Sequence, residues 1–524
     1  MNTLLVFKVI TLNGKLKGVF ANMNTFKRKS LVAALAGVSV LGLAGTAQAV
    51  NVNPDGLGQV LLYPYYTVRE TTDGAEFNSL LSVVNSTDSA KAVKVRFIEG
   101  RFSQEVLDFN LFLSPRDVWT AAVVPTASGA GVFTNDLSCS RPQIDTTVVP
   151  FRNAAYTGSN SDPLDSSLDR TREGYVEIIE MGDLRDVADT GIRAWAAAVT
   201  HVNGVPADCD FVRTKTPAVW NGASNEPVAN QITRGSGGLF GSMTLVNPKA
   251  GLDIAYDPTA LENWSNVHRW FDPGTINPHL GHVSPATSVV VNGTQTLFTY
   301  WGGTYSPQNV DAVTAVMMHD SIYNEFVLDG DANMRTDWVV TMPTKKYYYA
   351  KKAAPNPDNE WEPLYLYTSD LIAEGACEPI TLAFNDREER MVQAGDLFSP
   401  PVSTQGDALC WESTVITFKN SNVFGSKNIA NIASPPYNEG WVKLSFDAAH
   451  VLTSTGAPAS RGIDIAATGT ATNYNTTTFD GLPVIGFAAQ VFTNTALDYN
   501  GGKVLANYGG RLNHKASRSI TNAP

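Results

Sequence analysis

The 524-residue sequence is poor in charge, in histidine and in cysteine. Asp, Glu, Lys and Arg make up 17% of it, with 7 His and 4 Cys, whereas a typical globular chain is about 25% charged. With so few imidazoles and no Cys-x-x-Cys spacing, we do not expect a zinc enzyme. Lys and Arg number 38 against 50 Asp and Glu. This acidic balance argues against a nucleic-acid partner, which needs clustered cations.

Sequence motifs that would define a reaction are missing as well. Beyond residue 49 there is no Gly-x-Ser-x-Gly elbow and no His-Glu-x-x-His pair. The glycines of 235–238 lack the spacing of a dinucleotide loop. Catalysis is therefore left open, with a leaning against it.

The sequence has one notable apolar run, which lies near its start. Met23–Ala49 begins with three basic residues, continues with 13 uncharged residues (Leu31–Leu43) and ends in Ala-Gln-Ala. This order is typical of a bacterial signal peptide. A membrane anchor or a buried helix is the alternative, but a span needs about 20 apolar residues. We interpret residues 1–22 as a mis-assigned start.

Cleavage after Ala49 would leave 475 residues with a net charge of −18, because residues 1–49 hold six Lys or Arg and no acid. No second apolar run of spanning length follows, so we expect no transmembrane segment in the mature chain. The predicted location is outside the cytoplasm, at the cell surface, in the medium or in the periplasm.

The four cysteines predict two disulfides. An even number in an exported chain favours pairing. Of the three possible pairings, we predict Cys139–Cys209 and Cys377–Cys410, since each bridge then stays within its own half of the chain. A metal site is the alternative.

Alternation of apolar and polar residues predicts antiparallel strands. In Ala92–Ile98 and Glu105–Leu113 apolar side chains recur at every second position, and turn residues separate the strands. We predict a mainly β protein of two or more packed β-sandwich units with a few short helices, immunoglobulin-like over 55–130. The expected units are residues 50–250 and 251–524. Gly174–Ile179 and Gly440–Ser445 share a pattern that indicates a weak repeat.

Further elements follow from the same patterns. Short helices are predicted at Arg193–His201 and Asp311–Met318. The remaining predicted strands are Leu80–Asn85, Val118–Val124, Tyr175–Glu180, Ser242–Asn247, Ser288–Tyr300, Asp337–Met342, Lys346–Lys351, Pro379–Phe384, Ser413–Lys419, Trp441–Phe446 and Val484–Phe492.

Several segments together resemble a family of exported proteobacterial proteins that has no assigned activity. The segments are Leu61–Tyr66, Ser82–Asn85, Ser167–Glu177, Thr336–Val340 and Pro343–Lys345. The resemblance is scattered over most of the chain after residue 49. It implies export and a shared fold, and it supplies no catalytic residues.

The segment 329–337 has the spacing of a possible calcium loop. Its oxygen ligands would be Asp329, Asp331, Asn333 and Asp337. Two features depart from the EF-hand pattern, because Met334 stands where glycine is needed and Val340 where the bidentate Glu is needed. A turn between strands is the favoured alternative, since Asp, Gly and Asn favour turns.

Other candidate sites have simpler explanations. His279 and His282 could share a metal, but no carboxylate lies near them in sequence. Glu177 and Glu180 would face opposite sides of a strand, which is unsuitable for a catalytic carboxylate pair. An aromatic platform for a glycan is less expected than core packing. Its members would be Trp264, Trp270, Tyr300 and Trp301.

The sequence as a whole predicts an exported, non-catalytic protein with a structural or adhesive role. Its partners would be further copies of itself or surface glycans. The alternative is a carbohydrate-binding or carbohydrate-active protein. A lectin or hydrolase should bring Trp and carboxylate side chains together in one cleft, whereas a structural protein should present flat contact surfaces.

Overall fold

A computed structural model provides the structure of the chain from Gln48 onward. The residues it describes are 48–72, 74–185, 194–214, 231–301, 306–330, 333–352, 361–393, 408–454, 463–464, 476–494, 497–504 and 506–523. The predicted signal peptide lies almost entirely outside these ranges. The residues from Gln48 form one compact unit.

The first sandwich packs two antiparallel sheets, called sheet 1 and sheet 2. In spatial order, sheet 1 consists of Asn51–Val52, Thr259–Glu262, Val60–Thr67, Glu173–Leu184, Lys91–Glu99, Glu105–Leu113 and Cys139–Arg141, with Ile232–Thr233 beside Glu173–Leu184. Sheet 2 consists of Leu252–Tyr256, Leu239–Asn247, Asn78–Asn85, Val118–Pro125, Ala130–Phe133 and Val149–Pro150.

The second sandwich is built from later residues. In spatial order, sheet 3 consists of Ile429–Ile432, Ser413–Phe418, Met334–Thr341, Ile485–Phe492 and Tyr508–Asn513. Sheet 4 consists of Met391–Gln393, Glu378–Asn385, Glu439–Phe446, Ser321–Val327 and Lys515–Ser517, with Ala408–Leu409 beside Glu378–Asn385. Ser413–Phe418 and Ile429–Ile432 pair in parallel, unlike the other neighbours in these sheets.

Sheet 3 joins the two sandwiches. Its strand Met334–Thr341 is buried at six consecutive positions, so both faces of the sheet are covered. Trp338 and Val340 pack with sheet 4 in one apolar cluster, while Val339 packs into the core of the first sandwich. A strand with two apolar faces is expected where a sheet is packed on both sides.

Polar bonds across the same junction fix the two sandwiches together. The hydroxyl of Thr341 donates to the carbonyl of Pro64. The buried carboxylate of Glu173 accepts from the hydroxyl of Ser426 and from the backbone N–H of Lys427. The predicted unit boundary at residue 250 falls between two strands that pair with each other, Leu239–Asn247 and Leu252–Tyr256. The last strand that the chain contributes to sheets 1 and 2 is Thr259–Glu262.

The remaining elements are short. The α-helices among the described residues are Trp195–Val199, Cys209–Thr214 and Ser306–Met317. The 3-10 helices are Ala154–Tyr156, Gly158–Asn160, Leu168–Arg172, Leu280–His282 and Lys345–Tyr348. Small sheets are formed by Thr287–Asn292, Gln295–Tyr300 and Ile463–Asp464; by Val451–Ser454, Thr476–Asp480 and Ile520–Ala523; and by the pairs His201–Val202 with Val205–Pro206, Met318–His319 with Leu482–Pro483, Tyr349–Lys351 with Trp361–Pro363, and Leu497–Tyr499 with Gly502–Val504.

The mainly β prediction is confirmed, with local differences. The expected strand 288–300 is a hairpin, since residues 293 and 294 turn the chain between two strands. The expected strand 346–351 begins as a 3-10 helix, Lys345–Tyr348, and only Tyr349–Lys351 is a strand. The range 55–130 does not complete a sandwich by itself, since the central strand of sheet 1 comes from Glu173–Leu184.

Both predicted disulfides are present. Cys139 is bonded to Cys209 and Cys377 to Cys410. The first ties the edge strand of sheet 1 to the helix Cys209–Thr214. The second ties the start of a strand in sheet 4 to the segment just before Ser413–Phe418. The part of the structure described here contains no free cysteine, and no helix in it is long and apolar enough to cross a bilayer.

Candidate contact surface

Sheet 2 turns one face to the core of the first sandwich and the other to solvent. We call the solvent side the outer face of sheet 2. The inward side chains alternate with outward ones along each strand, as in Leu81 and Val83 against Leu80 and Ser82. The outward residues of the four longer strands are Asn78, Leu80, Ser82, Val84, Val118, Thr120, Ala122, Val124, Phe240, Ser242, Thr244, Val246, Asp253 and Ala255.

The outer face of sheet 2 carries several exposed apolar side chains and is almost uncharged. Asp253, near one edge, is the single ionisable side chain in the set above. Val118 and Leu80 are 48% and 46% exposed, and Phe240 is 39% exposed. Val84 lies directly between Val118 and Phe240, which makes an apolar row across three strands. An apolar row on an exposed sheet is typical of a contact surface.

The other large sheets differ from sheet 2. Sheet 1 is covered on both sides, since Val60–Thr67, Lys91–Glu99 and Glu173–Leu184 are buried throughout. Sheet 4 has an exposed face of another kind, on which Lys443 lies opposite Tyr323 and Glu325 lies opposite Trp441. Trp441 is 41% exposed.

A cleft of about 770 Å³ lies between the two sandwiches. Its cationic side chains are already bound within the protein. Arg518 donates to the carbonyls of Val316 and Met318 at 2.8 and 2.9 Å, where it terminates the helix Ser306–Met317. Arg511 forms an ion pair with Asp257 at 3.4 Å. Both arginines that line the cleft are therefore already paired with groups of the protein.

Buried ion pairs take up many charges of the first sandwich. Arg170 bonds Glu99 and Asp162 at 2.9 Å each, with all three side chains fully buried. Its guanidinium also lies 4.0 Å from the ring centroid of Tyr156. Because the cations are committed to internal carboxylates, they cannot serve as a surface site.

A second group of buried ionisable side chains lies under sheet 4. His450 Nε2 is 3.4 Å from Glu378 Oε2, and both side chains are fully buried. Burial raises the pKa of Glu412 well above its usual range. Lys345 lies close enough to Glu412 to oppose that rise. None of these groups lines the cleft, so a substrate would not reach them there.

The four predicted calcium ligands do not converge among the described residues. Asp337 is buried in sheet 3, where its carboxylate accepts from the Ser421 hydroxyl and the Val423 backbone N–H. Asn333 bonds Thr493 with its side-chain amide. Asp329 is exposed, its backbone carbonyl accepting from the N–H of Met334 across a turn, and Asp331 lies outside the described residues. The calcium loop stays a prediction.

No group of three or more His, Cys, Asp or Glu side chains in the described ranges is placed to hold a metal ion. His279 and His282 lie in contact, with ring centroids 4.1 Å apart. Each ring accepts a backbone N–H through Nδ1, His279 from Gly281 and His282 from His279. Burial lowers the pKa of His282 to about 4, and the pair thus stays neutral and caps its own turn.

Glu177 and Glu180 point to opposite faces of sheet 1, as the spacing predicts. Glu177 pairs with Arg96 and Glu180 with Lys91, which excludes a facing carboxylate pair. The tryptophans follow the favoured interpretation, core packing, and do not form a glycan platform. Trp264, Trp270 and Trp301 are all buried, and the indole of Trp301 donates to Ser288 at 2.8 Å.

Two surfaces were not predicted. The outer face of sheet 2 gave no signal, since Leu80–Val84 is apolar on both sides of the strand apart from Ser82. The exposed position of Trp441, by contrast, can be inferred from the sequence. In Trp441–Phe446 the tryptophan is in phase with Lys443 and Ser445, and out of phase with Val442 and Leu444. An aromatic residue in phase with polar ones points to solvent.

Comparisons with protein families, with curated proteins and with solved structures found no match. The resemblance to exported proteobacterial proteins therefore stays a prediction, and the functional argument rests on the geometry described above.

Proposed function

We propose that the protein is exported and serves as a non-catalytic cell-surface or extracellular protein with a structural or adhesive role. The outer face of sheet 2, as the docking surface for a second copy, carries this proposal. The two disulfides and the lack of a membrane-spanning helix in the described part of the chain are compatible with export.

The size of the face supports self-association. The four strands have 8, 8, 9 and 5 residues, and at spacings of about 4.8 Å between strands and 3.4 Å along them they cover roughly 500 Å². Two copies would then bury about 1,000 Å² in total, which is the lower limit for a specific interface. Two sheets can pack face to face in this way about 10 Å apart.

The charge distribution supports a second copy over other occupants. The chain carries a net charge of −12, so copies repel one another over most of the surface. The outer face of sheet 2 carries almost none of this charge. Contact through this face therefore brings the fewest like charges together, and added salt should strengthen the contact.

The test combines location and association state. Fractionation of the source cells should place the protein outside the cytoplasm with its thiols oxidised. Analytical ultracentrifugation of the purified protein should show dimers or larger assemblies. Leu80→Lys/Val118→Lys should be monomeric, whereas Val205→Lys, at an exposed site away from this face, should associate like the native chain. A cytosolic protein with free thiols, or a native monomer at high concentration, would contradict the proposal.

A further inference from the structure

The exposed face of sheet 4 presents an aromatic surface. Trp441 lies between Glu325 on one neighbouring strand and Asn385 on the other. The ring of Tyr323 is next to it, with a centroid distance of 6.2 Å and an interplanar angle of 39°. Large aromatic side chains normally bury their rings. Here an indole stands 41% exposed on a rigid strand.

The charges around Trp441 are of both signs. Arg387 forms an ion pair with Glu439 at 2.7 Å, and the ammonium of Lys443 lies 5.8 Å from the ring centroid of Tyr323. Glu325 is exposed beside them. Such a mixture favours neither an anion nor a cation, but it offers both hydrogen-bond donors and acceptors. The ligand that fits is uncharged and rich in hydroxyl groups.

A polar cavity continues the surface from Trp441. It has a volume of about 480 Å³ and is lined by Leu328, Asp329, Gly330, Lys419, Asn438 and Glu439. Glu439 is two residues from Trp441 on the same strand and the same face, about 7 Å away along the chain. A ligand built of repeating units can therefore place one unit on the indole and the next unit in the cavity.

We propose that this surface binds a neutral oligosaccharide, with Trp441 as the platform for one sugar ring and the cavity beside Glu439 for the next. A pyranose ring has one face of C–H groups, which packs on the electron-rich face of an indole. Its hydroxyls can bond the carboxylate, amide and ammonium groups nearby. The proposal deepens the adhesive role proposed above and rests on it for its biological meaning.

The competing occupant is a second copy of the chain. The outer face of sheet 2 suits a copy better because Asp253 is its single ionisable side chain, whereas sheet 4 would bring Glu325 and Glu439 against their equivalents. A copy on sheet 4 would make the association state, and not sugar binding, depend on Trp441.

Calorimetry with cellotetraose, maltotetraose and chitotetraose tests the proposal on the full chain. At least one of these tetrasaccharides should bind, Trp441→Ala should weaken that binding at least tenfold, and Trp441→Phe should restore part of it. Glu439→Gln should weaken it less. Tyr508→Ala is the matched control, since Tyr508 is 66% exposed elsewhere, and should bind normally.

Two results overturn the proposal. One is that none of the three tetrasaccharides binds the native chain; the other is that Trp441→Ala binds as well as the native chain does. Failure of the proposed function would be seen in a different measurement, the cell fractionation and ultracentrifugation described above. A Leu80→Lys/Val118→Lys variant that still binds sugar would show that the two surfaces act independently.

Discussion

The backbone N–H of Val423 donates to the buried carboxylate of Asp337. Burial nevertheless raises the pKa of Asp337 to about 7, from an ordinary value of 3.8, because desolvation outweighs these bonds. The folded chain therefore holds a proton at Asp337 that the unfolded chain has lost above pH 4.

Replacing Asp337 tests this relationship. Between pH 3.8 and 7 Asp337 binds more protons in the folded state than in the unfolded state, so its contribution to stability is complete below this range and is lost as the pH rises through it. The loss is about 4 kcal/mol at most. Asp337→Asn cannot ionise, and its unfolding free energy should fall less between pH 4 and 8 than that of the native chain. Equal slopes for both proteins in urea titrations would contradict the assignment.

The two disulfides should contribute unequally to stability. Cys139–Cys209 closes a loop of 70 residues and Cys377–Cys410 a loop of 33. Each should stabilise the fold by roughly 4 kcal/mol through the unfolded chain. Doubling the loop adds about 0.6 kcal/mol. Cys139→Ser/Cys209→Ser should therefore melt slightly lower than Cys377→Ser/Cys410→Ser. Calorimetry gives the order of the two melting temperatures. A reversed order would mean that contacts or strain in the folded state, and not loop length, determine the difference.

Buried and exposed ion pairs should respond very differently to mutation. Arg170→Met leaves Glu99 and Asp162 as buried carboxylates without their partner, and should destabilise the fold by about 3–5 kcal/mol. Arg116 and Asp88 form a pair of similar length, 2.7 Å, with both side chains largely exposed. Arg116→Met should leave the denaturation midpoint unchanged. A comparable loss in both variants would show that exposure is not what distinguishes the two pairs.

Two glycines mark close approaches at the central strands of their sheets. A Cβ on Gly174 would overlap the carbonyl oxygen of Ile98, and one on Gly440 would overlap that of Asn385. Gly174→Ala should therefore lower the melting temperature, by several degrees or more. Gly330→Ala is the control, because its Cβ would meet open space. If the control is the more damaging variant, the packing argument fails.

Sequence reasoning succeeded where one side of a strand was polar. In Ala92–Ile98 the lysine and arginine alternate with valine and phenylalanine, and the strand lies where alternation predicts it. The polar side is nevertheless buried, since Arg96 forms ion pairs with Glu177 on one neighbouring strand and with Glu105 on the other. Alternation identifies the two faces of a strand but cannot show what covers the polar one.

Long-range contacts explain what sequence reasoning missed. Whether Asp337 faced solvent or the core depended on Ser421 and Val423, more than 80 residues later. The shared pattern of Gly174–Ile179 and Gly440–Ser445 did mark a common structural position, since both segments lie in a central strand. The exposure of Trp441 could also have been predicted from its phase in the strand.

The bond between Glu173 and Ser426 cannot form until late in the synthesis of the chain. The two residues are 253 positions apart, so a chain made at about 5–20 residues per second waits roughly 12–50 s between them. Throughout that interval Glu173 has only its partners within the first sandwich, the Tyr65 hydroxyl and Arg69, and the side chains of sheet 3 that complete the core of this sandwich are missing. An incomplete chain that ends before Ser426 therefore leaves apolar side chains of the first sandwich uncovered, which makes it prone to aggregation.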